Sequence, residues 1–135
     1  MPLPVREHVS AASVIRFDEG RWATVDRPGR SAATLARIAA GRKAHGARFL
    51  IAYYGNEHGG RSLDRPIGTI TTRDRWAVID GDRMRMVSVT EARDAMGFPP
   101  SYRLPTSQRL AMHMLGNAVC PVPAADVINE IRRVA

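Results

Sequence analysis

Cysteine is almost absent from this chain of 135 residues, where Cys120 stands alone. A disulfide framework is thereby excluded, and no Cys/His spacing fits a zinc site, so no metal is expected. Lysine is equally scarce: Lys43 is the single lysine among 20 basic residues. Long apolar runs are missing, and none approaches the roughly 20 residues that span a bilayer. The opening Met1-Pro2-Leu3-Pro4-Val5-Arg6-Glu7-His8 lacks the charged-then-apolar layout of a secretory signal, which leaves a soluble cytoplasmic protein as the expectation. No internal repeat or low-complexity segment is present. No Gly-x-Gly-x-x-Gly occurs, and Gly55 to Gly60 does not approximate one.

The chain instead has arginine and enough apolar residues to bury a core. At 44% hydrophobic it is not compositionally disordered, and its length suits one domain or a piece of one. The net charge of +7 favours a polyanionic partner, nucleic acid first. Arginine suits bidentate contact with phosphate and guanine. A GC-rich coding sequence is an equal explanation of the Arg:Lys ratio. His8, His45, His58 and His113 are scattered and read as surface or locally bonded groups.

Residues 1–30 are punctuated by proline and glycine and read as irregular, with a short strand over Val14 to Phe17. Ser31 caps an expected helix to about His45, with Leu35, Ile38 and Ala39 as its apolar stripe and Gly41 weakening it. Its face carries Arg37, Arg42 and Lys43, and no acid occurs in residues 31–48; it is either solvated or turned to phosphates. Strands are expected at Phe49–Tyr54, Ile67–Thr71 and Trp76–Ile79. The last turns through Asp80-Gly81-Asp82 into a returning strand over Arg83 to Val87. Thr90 is placed to cap a short helix ending at Gly97, and Thr106 or Ser107 a second that Gly116 ends. From Pro121 a final helix puts Ala124, Val127, Ile128, Ile131 and Val134 on one face, which needs a cover that the preceding residues do not offer.

Three stretches carry more than fold. Arg85 to Pro99 contains Arg85, Glu91 and the run Gly97-Phe98-Pro99, with Tyr102 three residues on. Gly116-Asn117-Ala118-Val119 follows one helix and precedes the next. Arg65 to Thr72 is rich in threonine and leads into Arg73 and Arg75, side chains able to donate to phosphate or read guanine, with Trp76 beside them. Taken alone, Gly97-Phe98-Pro99 is a helix stop, Asn117 a helix cap, and the threonine-rich run an ordinary strand.

Their order and spacing resemble the C-terminal third of a DNA cytosine-5 methyltransferase. Arg85 to Pro99 is similar to the family's ninth motif, with Arg85, Glu91, Gly97, Phe98 and Pro99 in register. Thr90 and Asp94 stand where that motif usually has arginine, which bears on the bracing the motif provides. Gly116 to Val119 is similar to the tenth motif, and the resemblance covers about residues 30–135. It implies an α+β arrangement: a small irregular β target-recognition region over 31–84, after an N-terminal segment 1–30. Helices over 85–135 would follow, the last docking on a Rossmann-like partner domain. It implies double-stranded DNA as substrate, contacted by Arg61, Thr69, Thr71, Thr72, Arg73 and Arg75. It implies S-adenosylmethionine shared with a partner subunit and bordered by Tyr102, Asn117 and Ala118, with Gly116 a structural member of the motif.

The rest of that chemistry is not in these residues. Methylating cytosine C5 needs a thiolate adding at C6, an acid near N3 and a flipped-out base. The family places these in a Pro-Cys loop and a Glu-Asn-Val segment. Cys120 comes before a proline, at a helix start, and reads as a packing residue. The implied reading is the small subunit of a split methyltransferase, of the restriction-modification kind, inactive without a larger subunit that carries the catalytic Cys. A stand-alone DNA-binding module and an inactive remnant of a disrupted gene are the alternatives.

Overall fold

The computed structural model describes residues 3–53 and 58–135. Tyr54 and the first part of the expected loop, Gly55 to Glu57, lie outside the described residues, as do Met1 and Pro2. The fold is α+β: a 3-10 turn (Ala11–Ser13) precedes β1 (Ala23–Thr24), α1 (Ala32–His45), β2 (Arg48–Ala52), β3 (Trp76–Asp80), β4 (Arg83–Met86), α2 (Val89–Ala95), α3 (Gln108–Asn117) and α4 (Pro121–Val134). The strands form one antiparallel sheet in the order β1-β4-β3-β2. The β3–β4 hairpin closes on the pair Asp80 and Arg83, so Gly81 and Asp82 form a two-residue turn.

Alternation along the strands divides the core into two layers. Phe49, Ile51, Ala77, Ile79 and Met84 face α1, meeting Ile38, with Val25 beside them. Leu50, Ala52, Trp76 and Val78 face the other way, onto Ala11, Ile15, Ala92, Met96, Met112 and Leu115. With both faces covered, β2 and β3 have no polar side to show, which is why Phe49 to Ala52 reads as an unbroken apolar run.

Local signals account for the helix ends. The Ser31 hydroxyl accepts the Thr34 amide at the start of α1. The buried side of α1 is Thr34, Ile38 and Gly41, not Ile38 with Ala39, which is exposed. A side-chain carbon at Gly41 would overlap the Phe49 ring, so the residue expected to weaken α1 is what lets it sit on the sheet. Ser107 caps α3. Pro121 opens α4, where its missing N–H costs nothing.

Several expectations fail. Val14 to Phe17 is not a strand: the 3-10 turn runs into it, and Ala11 and Ala12 donate their amides to Arg65 and Leu63 carbonyls instead of to a sheet neighbour. Ile67 to Thr71 is irregular despite its isoleucines and threonines. The outer edge of β2 pairs with Arg61 through Leu50, and the Thr69 carbonyl is taken by Trp76 Nε1 instead of by a strand. The returning strand stops at Met86. Ser88, not Thr90, caps α2, because only Ser88 stands three residues before a glutamate that can return the bond. Gly116 does not end α3, which continues through Asn117.

The last helix stands apart. No residue of α4 is buried; Val127, Ile128, Ile131 and Val134 are 43%, 51%, 60% and 65% exposed. Its tie to the N-terminal segment is a forked ion pair from Arg6 to Asp126, both bonds 2.6 Å. No helix among the described residues is long and apolar enough to cross a membrane.

Candidate nucleic-acid interface and its bracing

The end of β4 and the start of α2 are joined by a buried knot. Arg85 donates to Glu91 in a fork, 2.6 Å and 2.8 Å, with side chains 5% and 1% exposed. Glu91 also accepts the amides of Arg16 at 2.8 Å and Ser88 at 2.7 Å; the Ser88 hydroxyl accepts the Glu91 amide in return, completing a capping box. Burial alone would raise the Glu91 carboxyl. The Arg85 hydrogen bonds, with those from the two amides, outweigh it and hold the carboxyl below its usual range. Arg85 further donates to the carbonyls of Arg16 and Met86, and its guanidinium lies 4.8 Å from the Trp22 ring centre. Of the two positions where the resembled motif usually has arginine, Thr90 and Asp94, the second is engaged here by other arginines. Asp94 takes the Arg16 guanidinium at 2.6 Å and a fork from Arg93, so the N-terminal segment is tied to α2 by opposite charge.

Beyond α2 the chain turns at Gly97, whose φ of 80° is one L side chains rarely adopt. The Phe98 ring packs at 4.4 Å on Tyr102, and the Tyr102 amide donates to the Pro99 carbonyl. Tyr102 borders a cleft of about 670 Å³ together with Arg21, Thr90, Arg93, Thr106 and Gln108. Ala118 borders a different cleft, of about 420 Å³, with Ile67, Thr69, Met96, Gly116 and Cys120. Asn117 is exposed, its amide meeting His113 of the same helix at 3.2 Å. Cys120 caps α4 and packs against the main core.

The arginine- and threonine-bearing residues gather along one path around Trp76. The Arg61 guanidinium lies 5.4 Å from the Trp76 ring centre and donates to the Pro66 carbonyl. Trp76 Nε1 donates to the Thr69 carbonyl at 3.1 Å, and the Thr71 hydroxyl to the Arg73 carbonyl at 2.9 Å. Thr72 is half-buried. Arg75 turns inward and donates to the Tyr53 carbonyl at 3.4 Å. The exposed Arg73 guanidinium has no hydrogen-bond or ion-pair partner among the described residues. Asp74 accepts from Gln108 of α3 at 3.0 Å, while its other oxygen is buried without a donor. Burial raises the Asp74 carboxyl and the Gln108 bond only partly offsets that. Asp80 lies between Arg48 and Arg83, whose hydrogen bonds hold it below its usual range.

Among the described residues no group of three or more His, Cys, Asp or Glu is placed to hold a metal ion. Arg16, Asp94, Trp76, Gln108 and Asp74 all hold these segments in place, and sequence reasoning assigned none of them a supporting role. Two carried a signal: Trp76 by its position beside Arg73 and Arg75, and Asp94 by standing where the resembled motif usually has arginine.

A family model described as C-5 cytosine-specific DNA methylase matches residues 12–133, starting well before the stretch that carried the resemblance. No curated protein and no solved structure matches the chain. The matched span takes in the whole sheet, the Arg85–Glu91 knot and the segment around Gly116, and the chain belongs to the C-5 cytosine-specific DNA methylase family.

Proposed function

We propose that this chain is the DNA-recognising and cofactor-closing part of a DNA (cytosine-5) methyltransferase, and that the reactive thiolate sits on another polypeptide. The observation that carries this reading is the uncovered apolar face of α4, which a second structure must cover. These residues also contain no Pro-Cys loop and no Glu-Asn-Val segment, and Cys120 is committed to packing.

Cytosine-5 methylases use S-adenosylmethionine, which supplies an electrophilic methyl group. The residues here do not by themselves fit it. Tyr102 and Ala118 border separate clefts, and neither cleft is lined by a carboxylate for the ribose hydroxyls. Tyr102, Asn117 and Ala118 therefore supply one edge at most, and the remainder comes from the partner. DNA would lie along the path from Arg61 through Thr69, Thr71 and Thr72 to Arg73, with Arg73 free to donate and Arg75 steadying the loop from behind. The Arg85–Glu91 knot, with Gly97, Phe98 and Pro99, fixes how that path meets the helices.

The test is reconstitution. The purified chain should bind duplex DNA with strong salt dependence, because neutralised phosphates release counterions. It should transfer no methyl group until a polypeptide carrying the Pro-Cys loop is added. Methyl transfer by the chain alone would overturn the divided active site. DNA affinity insensitive to salt would overturn the recognition role.

A further inference from the structure

The segment proposed to face DNA leaves the edge of β2 after Arg61, and its later part, Thr71 to Asp74, is held elsewhere. That part lies on α3, the helix that leads directly into Asn117 and Ala118. A side-chain carbon at Gly116 would overlap the Thr71 carbonyl carbon and the Thr72 nitrogen, so the helix and this peptide meet backbone to backbone. Two turns earlier, Gln108 donates to Asp74 at 3.0 Å. Met112, between them, lines a small cavity with Ile70, Thr71, Arg73 and Asp74 and an open cleft of about 410 Å³ with Thr72, Arg73, Asp74 and Gln108. The threonine hydroxyl closes the loop on itself through the Arg73 carbonyl. What these contacts leave unpinned is the Arg73 side chain.

We propose that Gly116 and Gln108 are positioning residues for DNA recognition: α3 is the platform that aims Arg73 at the duplex. This rests on the reading of Arg73 as a DNA contact. It gives the glycine before Asn117 a task distinct from helix termination. The position is a glycine because no side chain fits between the helix and the Thr71–Thr72 peptide. It also places the DNA-reading loop and the proposed cofactor edge on one element, because the Thr71–Thr72 peptide meets Gly116 beside Asn117, so a displacement of either is felt by the other.

The experiment measures anisotropy of a fluorescein-labelled mixed-sequence duplex with the full chain across a salt series. Arg73→Ala should lower the slope of log affinity against log salt by about 0.9, the loss of one phosphate contact. Gly116→Ala should lower it by a similar amount with unchanged circular dichroism, and so should Gln108→Leu. Gly116→Ala combined with Arg73→Ala should lower it no further than Arg73→Ala does, since both remove the same contact. Slopes that add in the double variant would overturn the proposal, as would a folded Gly116→Ala whose slope equals that of the unmodified chain. Should Gly116→Ala fail to fold, Gln108→Leu decides in the same way. If Arg73→Ala leaves the slope unchanged while the unmodified chain binds, the assignment of Arg73 to DNA is what fails. No salt-dependent binding by the unmodified chain overturns the functional reading itself.

Discussion

A carboxylate as deeply buried as Glu91 persists because four donors converge on it: both terminal nitrogens of Arg85 and the amides of Arg16 and Ser88. Removing one charge of such a pair strands the other. Glu91→Gln is therefore expected to lower stability by about 3–5 kcal/mol, read as a fall in melting temperature. Because the folded carboxyl is held below its usual range, the ionised form is the stabilising one. That contribution is complete at neutral pH and is lost as pH falls from the ordinary glutamate value of about 4.3 through the folded value. The Glu91→Gln variant should lack this part of the acid transition. Asp74 has the opposite sign. Burial raises its carboxyl, so its ionised form opposes folding above the folded value and the cost disappears as pH drops below it. Asp74→Asn should melt higher than the parent at neutral pH, and the difference should shrink on acidification. Arg85 and Glu91 were legible in the sequence as motif members. Their partner Arg16 was not, since it lies 69 and 75 positions away and nothing local marks it.

At the scale of elements, short-range chemistry was readable and competition for space was not. The serine caps of α1 and α3, the proline that opens α4 and the turn at Gly81 are local, and each of these elements forms where its residues ask for it. Ile67 to Thr71 has strand-forming side chains, yet Arg61 pairs with the edge beside Leu50 and the Thr69 carbonyl is taken by Trp76 Nε1. The cap of α2 was missed by two residues because serine and threonine both qualify, and the reciprocal bond to Glu91 decides between them. Ser88→Ala should cost about 1 kcal/mol, and Thr90→Ala less, in denaturant unfolding. Equal losses would mean that the capping box contributes nothing beyond a hydroxyl. The sequence marked candidate members of the site but not what supports them. Gly116 reads as a helix stop from sequence; that it abuts the Thr71–Thr72 peptide depends on packing between segments more than forty residues apart.

For the whole molecule, the sheet with its helices on both faces is self-sufficient and α4 is not. Val127→Asp with Ile131→Asp should leave the chain's own melting temperature within the range of a neutral surface change, about 0.5 kcal/mol, because neither side chain is buried. On the proposed reading, the same pair of changes should abolish association with a partner polypeptide that carries the Pro-Cys loop, measured by size-exclusion chromatography of the mixture. A large loss of melting temperature would show that α4 is covered by this chain after all. One property of that helix reaches further. A stretch of 14 residues held by an exposed ion pair is near the length at which an isolated helix in water only just survives. In the proposed assembly, its full winding and its capture by the partner would be a single event. Calorimetry of the union should register a more negative heat-capacity change than rigid docking would give, and the affinity would answer to anything that pre-winds the tail.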